Sequence, residues 1–290
     1  MAEYKIKDLE TLTGVKAHTI RIWEKRYGFV NPDRTDTQIR TYSNQELTML
    51  LNVAMLNKTG MKISHIAQLN SDEIASKVWE IKSSPNDDLG IEKLILALVE
   101  MDEVLFHKTL SDLVQSVGLF NTFLDYLIPF LDRIGIMWLV GSINTAQEHF
   151  ISHLIRQRVI AETDKLEIPP KTEAPIMLFL PEHEWHEISL LFYQYILRKN
   201  GLNTVYLGQS LPFDSLIECI EKIQPKAILT SWLTSVDEKF MVNYFKNLGR
   251  EAKSIKIYAG GYQIGKHSEA LKDMVHQIND VKVLSNLFTI

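Results

Sequence analysis

Cysteine is almost missing from this chain of 290 residues: Cys219 stands alone. That excludes an internal disulfide and a metal site built from thiolates, and it fits a reducing compartment. Long apolar runs are missing too. No uninterrupted stretch approaches 18 residues and the N-terminus has no apolar core of a signal peptide, so neither a membrane span nor export is expected. Repeats, low-complexity tracts and a long heptad seam are also absent. What remains is an ordinary apolar content of 46% with 23% charged residues, the composition of a water-soluble, cytoplasmic protein. Its length suits two or three domains.

The net charge of −5 is unevenly spread. Residues 4–62 hold ten Lys or Arg against six Asp or Glu, a balance of +4, which leaves −9 for the rest. A basic head on an acidic body is the pattern of a polyanion-binding module joined to a sensor.

Residues 4–27 read as helix, turn, helix. Ile6, Leu9 and Leu12 form an apolar stripe, and Thr13-Gly14-Val15 makes the turn. A second helix, Ala17 to Tyr27, turns Ile20 and Trp23 inward and Arg21, Lys25 and Arg26 outward. Gly14 between two helices is the mark of a helix-turn-helix, whose second helix enters the major groove. Gly28 to Pro32 breaks that helix, and Arg34 to Tyr42 alternates as a short hairpin or wing. Ser43 to Glu46 is a capping box that opens a third helix over Leu47 to Lys58. Gly60 ends it, and a fourth begins at Met61.

These motifs together, Thr19-Ile20-Arg21, Trp23-Glu24, Arg26-Tyr27-Gly28, Arg34 and Arg40-Thr41-Tyr42-Ser43 above all, resemble the MerR-type winged-helix DNA-binding domain. The Ile-Arg-Ile-Trp-Glu-Lys-Arg-Tyr-Gly run is similar to the branch that carries a cobalamin-binding sensor. The resemblance implies that Thr19, Arg21 and Arg26 meet phosphates or base edges of double-stranded DNA. It implies that Arg34, Arg40 and Tyr42 on the wing hold the backbone or enter the minor groove. Trp23 is expected in the core.

Residues 75–90 lose apolar periodicity and read as a linker, and the pattern from Ile91 to Asp164 is helical almost throughout, a small bundle. Leu166 to Pro175 is a second linker. Beyond it strands and helices alternate: strands at 176–180, 204–207, 227–232, 255–259 and 281–284, helices at 188–199, 214–223, 237–248 and 268–277. That alternation predicts a doubly wound parallel sheet of order 2-1-3-4-5, its site where the first and third strands part. The fold class is multidomain α and α/β: a winged head over 1–75, a helical bundle over 76–166, and a Rossmann-like, flavodoxin-like sheet over 174–290.

Three loops lie at the carboxyl edge of that sheet. The first holds Glu184-x-His186-x-x-Ser189, the second begins Ser231-Trp232-Leu233, and the third is Gly260-Gly261, where the backbone can approach something bulky. In this order they resemble the cobalamin-binding Rossmann-like domain, whose signature is acid-x-His-x-x-Gly, Ser-x-Leu and Gly-Gly. The resemblance makes His186 the lower axial ligand of cobalt, displacing the cofactor's own base into the sheet-edge pocket. It makes Glu184 the partner of the other ring nitrogen. His183 does not align and reads as a solvated loop residue. Trp138, followed by Glu148-His149, is similar to the Trp…Glu-His motif of the CarH- and LitR-type photoreceptor regulators, in which the bundle caps the upper corrin face. Trp138 would pack there, and Glu148 and His149 would hydrogen-bond an adenosyl group. Two positions depart from the pattern: Ser189 replaces the glycine, and Leu139 stands where light-responsive members can carry a histidine.

The expected protein is therefore a transcriptional regulator, a repressor by resemblance, that binds an operator and takes cobalamin, as adenosylcobalamin, as effector. It would self-associate as dimers or tetramers and catalyse nothing. The alternatives are a regulator whose emptied cobalamin fold serves protein contacts, favoured by Ser189 and Leu139, and a corrinoid methyltransfer subunit.

Overall fold

The computed structural model describes residues 4–34, 39–83, 89–139, 143–170, 173–253 and 255–285. The tip of the expected wing (35–38), residues 84–88 of the first linker and 171–172 of the second lie outside them. The chain divides into two compact units, Met1–Leu154 and Ile155–Ile290. Among the described residues no helix is long and apolar enough to cross a membrane.

The first unit holds the head and the bundle segments up to Leu154. Helix α1 (Ile6–Thr13) buries Leu9 and Leu12 and ends at Gly14, whose φ of +70° is the left-handed turn the sequence predicts. Helix α2 (Ala17–Tyr27) buries Ile20 and Trp23 and stops at Gly28. Strands β1 (Asp33–Arg34) and β2 (Arg40–Thr41) pair antiparallel as the base of the wing. Helix α3 (Asn44–Lys58) opens with the expected box: Glu46 N donates to Ser43 Oγ at 3.3 Å, and Ser43 N donates to Glu46 Oε2 at 2.8 Å.

Two differences follow. The fourth helix is only α4 (Ile63–Ile66). Helix α5 (Ser71–Ser83) then occupies the start of the expected linker, because Asn70 and Glu73 form a reciprocal cap and Ile74 and Val78 are buried. The bundle follows as α6 (Gly90–Glu100), α7 (Glu103–Thr122), a π-helical turn (Phe123–Leu127), α8 (Ile128–Leu139) and α9 (Thr145–Asp164). Gly118, at φ +77°, kinks α7.

The second unit is the parallel sheet. Strand β3 (Ile176–Pro181) is buried along its whole length, as the central strand of a two-sided sheet must be. Around it run α10 (Ile188–Lys199), β4 (Thr204–Leu211), α11 (Phe213–Ile223), β5 (Ala227–Ser231), α12 (Glu238–Ala252) and β6 (Lys256–Gly260). The short helices α13 (Tyr262–Lys266) and α14 (Ser268–Leu271) lead to β7 (His276–Gln277). The order β4-β3-β5-β6-β7 is the 2-1-3-4-5 expected from sequence.

The last strand is a correction. Residues 276–277, expected to finish a helix, pair with Tyr258 and Ala259 of β6. Residues 281–284, expected as the strand, lie in a 3-10 turn (Val281–Ser285). Asp280 Oδ1 accepts from Lys282 N at 2.8 Å and starts that turn. Meanwhile His276 stacks on Tyr258 with ring centroids 5.0 Å apart.

Replacing Ser43 with alanine removes the acceptor that Glu46 N uses and costs about 1 kcal/mol. Urea unfolding should show a lower midpoint for the unit that contains the head, with the sheet unit unchanged.

Candidate functional site

The carboxyl edge of β3 ends in Pro181, and the chain turns through His183 at φ +68°. His183 is exposed, and its N–H donates to Ser210 Oγ at 3.1 Å. This turn directs Glu184 inward, where only 3% of it remains exposed. Five donors surround its carboxylate. Leu233 N and Thr234 N donate to Oε2 at 2.8 and 2.7 Å, and Thr234 Oγ1 and His186 N donate to Oε1, both at 3.0 Å. The fifth is His186 Nδ1, 2.7 Å from Oε1.

Burial by itself raises the Glu184 pKa. The bonds from the His186 ring, Thr234 N, His186 N and Leu233 N outweigh it and pull the value down to about 2. Such a carboxylate only accepts, so His186 Nδ1 carries a proton, and in the neutral ring the lone pair sits on Nε2. Glu184 thus joins the loop after β3 to the loop after β5 and sets a tautomer. The His186 side chain itself is 62% exposed.

The other sequence-predicted residues of this edge meet as the topology requires. Ser189, in the first turn of α10, places its Oγ 2.9 Å from Ser231 Oγ at the end of β5. Leu233 is half-exposed. Gly260 and Gly261 approach something bulky, but it is the protein itself. A Cβ on Gly261, at φ +96°, would lie 2.5 Å from the Trp232 carbonyl oxygen, and one on Gly260 would collide with the Tyr193 hydroxyl. Around His186, Trp185, Leu233 and Tyr262 expose apolar surface from the loops after β3, β5 and β6.

In the head, Arg21 and Arg26 of α2 and Arg34 of β1 are exposed, and Thr19 is half-buried with its Oγ1 3.3 Å from His18 Nε2. Trp23 is in the core. The wing residues differ from expectation. Tyr42 is 1% exposed, too buried for DNA, and its hydroxyl donates to Glu24 Oε2 at 3.1 Å. Arg40 Nε donates to Glu24 Oε1 at 3.0 Å. Both therefore fasten the wing base to α2, and Arg40 keeps only a third of its side chain exposed.

In the bundle, Trp138 on α8 is 47% exposed. Glu148 accepts from Ser152 Oγ at 2.7 Å, and His149 Nε2 stands 3.6 Å from Glu148 Oε2 in the first turn of α9. Residues 140–142 and the side chain of Leu139 lie outside the described residues.

Sequence reasoning missed two residues of this edge. Thr234 supplies two of the five donors to Glu184, but a threonine beyond the Ser-x-Leu motif carries no signal of that. Tyr193 reaches the site from one turn along α10, at the i+4 position from Ser189, and that spacing could have revealed it.

Residues 4–73 match the family of MerR HTH family regulatory proteins, and residues 91–161 match the family described as B12 binding domain. The chain is 26% identical over 278 residues to the HTH-type transcriptional repressor CarH of Myxococcus xanthus, covering 92% of each. It is 26% identical over 277 residues to the repressor CarA of the same organism, covering 92% of this chain and 89% of that one. A monomethylamine corrinoid protein of Methanosarcina barkeri shares the fold, with a TM-score of 0.57 and 16% identity over 70% of this chain and 98% of that one.

The Glu184 pKa lies below its ordinary 4.5, so its bonds add stability above that pH and lose it as pH falls toward 2. The shift corresponds to about 3 kcal/mol. Urea midpoints of the sheet unit between pH 7 and 2 should fall steeply in the wild type. In Glu184→Gln they should start lower and vary less over the acid range.

Proposed function

We propose that this chain, which joins a MerR-type DNA-binding head to a B12-binding domain, is a transcriptional regulator that binds operator DNA and takes cobalamin as its effector. Its relatives along the whole length are transcriptional repressors, not enzymes, and repression is the sign of regulation we assign. The protein acts in the cytoplasm.

One observation carries the reading of the sheet edge: a buried carboxylate of very low pKa holds Nδ1–H of a histidine whose ring faces solvent. That arrangement suits axial ligation, because the bond at Nδ1 fixes the ring and makes Nε2 more basic. Among the described residues no three His, Cys, Asp or Glu side chains are grouped to hold a metal ion. A single imidazole serves a metal whose other positions a macrocycle fills, and the cobalt of a corrin meets that condition. Trp185, Leu233 and Tyr262 offer apolar surface to a flat ring, and Ser189, Ser231, Gly260 and Gly261 lie deeper at the same edge. When bound, the cofactor supplies a cobalt centre that holds an exchangeable upper ligand. We assign that ligand as adenosyl, with Trp138, Glu148 and His149 of the bundle as its partners.

In the head we assign Thr19, Arg21 and Arg26 to the major groove and Arg34 to the phosphates beside the wing, because an arginine fork reaches two acceptors at once. Arg40 contributes its residual exposed edge, held by Glu24. Effector binding alters DNA affinity only by differing between two arrangements of the protein, and the same coupling makes DNA alter effector affinity. Self-association as dimers or tetramers would supply those arrangements.

A second reading, an emptied cobalamin fold used for protein contacts, draws on the Ser189 hydroxyl, which spends its bond on Ser231. The two readings separate in one experiment. Protein mixed with adenosylcobalamin in the dark and desalted should keep the corrin absorption in a base-off, histidine-ligated form. His186→Ala should lose that form, and Glu184→Gln should bind about 10–100-fold more weakly. A colourless wild-type protein would favour the interaction module. On DNA, Arg26→Ala should weaken binding across sequences and lower the slope of log K against log salt by about 1.

A further inference from the structure

Ligation by His186 has a steric consequence. A complete cobalamin carries, on an arm of its corrin, a nucleotide base that can take the same axial position. Once an imidazole stands there, the base must lie in the protein or in solvent. The protein next to His186 is the crevice between α10 and the ends of β5 and β6. Ser189 and Tyr193, four residues apart on α10, share the helix face that lines it.

That crevice is full. Tyr193 is 4% exposed. Its hydroxyl occupies the space that a side chain at Gly260 would need, and it hydrogen-bonds Ser231. Ser231 is in turn 2.9 Å from Ser189 Oγ. Burial pushes the Tyr193 phenol up to about 12, against the smaller lowering by the Ser231 bond, so the ring sits as a neutral phenol in a dry place. On the neighbouring side the loop after β6 lies so near the loop after β5 that a Cβ on Gly261 would fall 2.5 Å from the Trp232 carbonyl oxygen. Expelling the Tyr193 ring would return roughly 150 Å² or more of buried surface to water and break its bond to Ser231.

We propose that Tyr193, locked through Ser231 to Ser189, plugs the crevice, so that the site accepts corrinoids whose lower base is absent or left outside the protein and does not select the complete cobalamin. The inference rests on the cobalamin reading above and names the ligand class of that same site: the corrin and its cobalt are recognised, the nucleotide is not. His186 makes the base dispensable for ligation, and Tyr193 removes the space that would reward bringing it.

The test compares aquacobalamin with diaquacobinamide, which has the same corrin and cobalt and no base. Each is titrated into the full-length protein and the bound fraction is read from its absorption spectrum. Cobinamide should bind at least as tightly as cobalamin. Tyr193→Ala should tighten cobalamin about ten-fold and leave cobinamide within about two-fold. The wild-type comparison needs no variant to fold, and circular dichroism reports whether the variant has folded. Cobalamin bound about ten-fold more tightly than cobinamide by the wild type would overturn the plug and leave the cobalamin reading standing. Unchanged cobalamin affinity in a folded Tyr193→Ala protein would also overturn the plug. If neither corrinoid binds either protein, the cobalamin reading itself fails, and the inference fails with it.

Discussion

The sheet unit depends on one buried carboxylate. Glu184 follows the central strand, and its two oxygens accept from the loop after β5 as well as from its own turn. Without it, Leu233 N and Thr234 N would lose their acceptor in a partly buried place, where each such loss costs about 1 kcal/mol. The same atoms decide chemistry. Because Glu184 is held ionised, the proton on His186 is fixed at Nδ1, and the opposite nitrogen is the one that can meet a metal. Under the proposed ligation, stability and function share one set of hydrogen bonds, so a variant that disturbs one disturbs the other.

The head uses the same device. Glu24, on the helix that presents Arg21 and Arg26, accepts from Arg40 and Tyr42 of the wing base. The wing base and α2, which the proposed function brings to DNA together, are thus joined by one carboxylate. Reading Tyr42 as a direct contact, and Arg40 as a contact alone, missed this, because their residue types suit either task and only burial separates them. Trp23 was legible: its position one turn from Ile20 on an amphipathic helix has no plausible outward phase.

In the sheet, the order of strands and the site's edge were legible because βα alternation constrains both. The final strand was not. Residues 276–277 are too few to show a period of two, whereas 281–284 alternate and still form a 3-10 turn, because Asp280 caps it. At the site, Glu184 and His186 were singled out by the resemblance of Glu184-x-His186 to a family motif, and the structure brings them into contact. The five donors around Glu184 could not be foreseen, since three of them are backbone N–H groups that every residue possesses. The glycines at 260 and 261 were rightly singled out for close approach, but sequence could not say that the approaching groups are Tyr193 and Trp232.

The account turns on a single coordinate bond from His186 to cobalt. The most direct measurement is the electron paramagnetic resonance spectrum of cob(II)alamin bound to full-length protein, with natural-abundance or ¹⁵N-labelled histidine. One axial nitrogen from His186 predicts superhyperfine triplets that become doublets on labelling, and their loss in His186→Ala. Triplets that persist unchanged with labelled histidine would mean that the cofactor's own base remains on the metal, and would contradict the ligation proposed for His186.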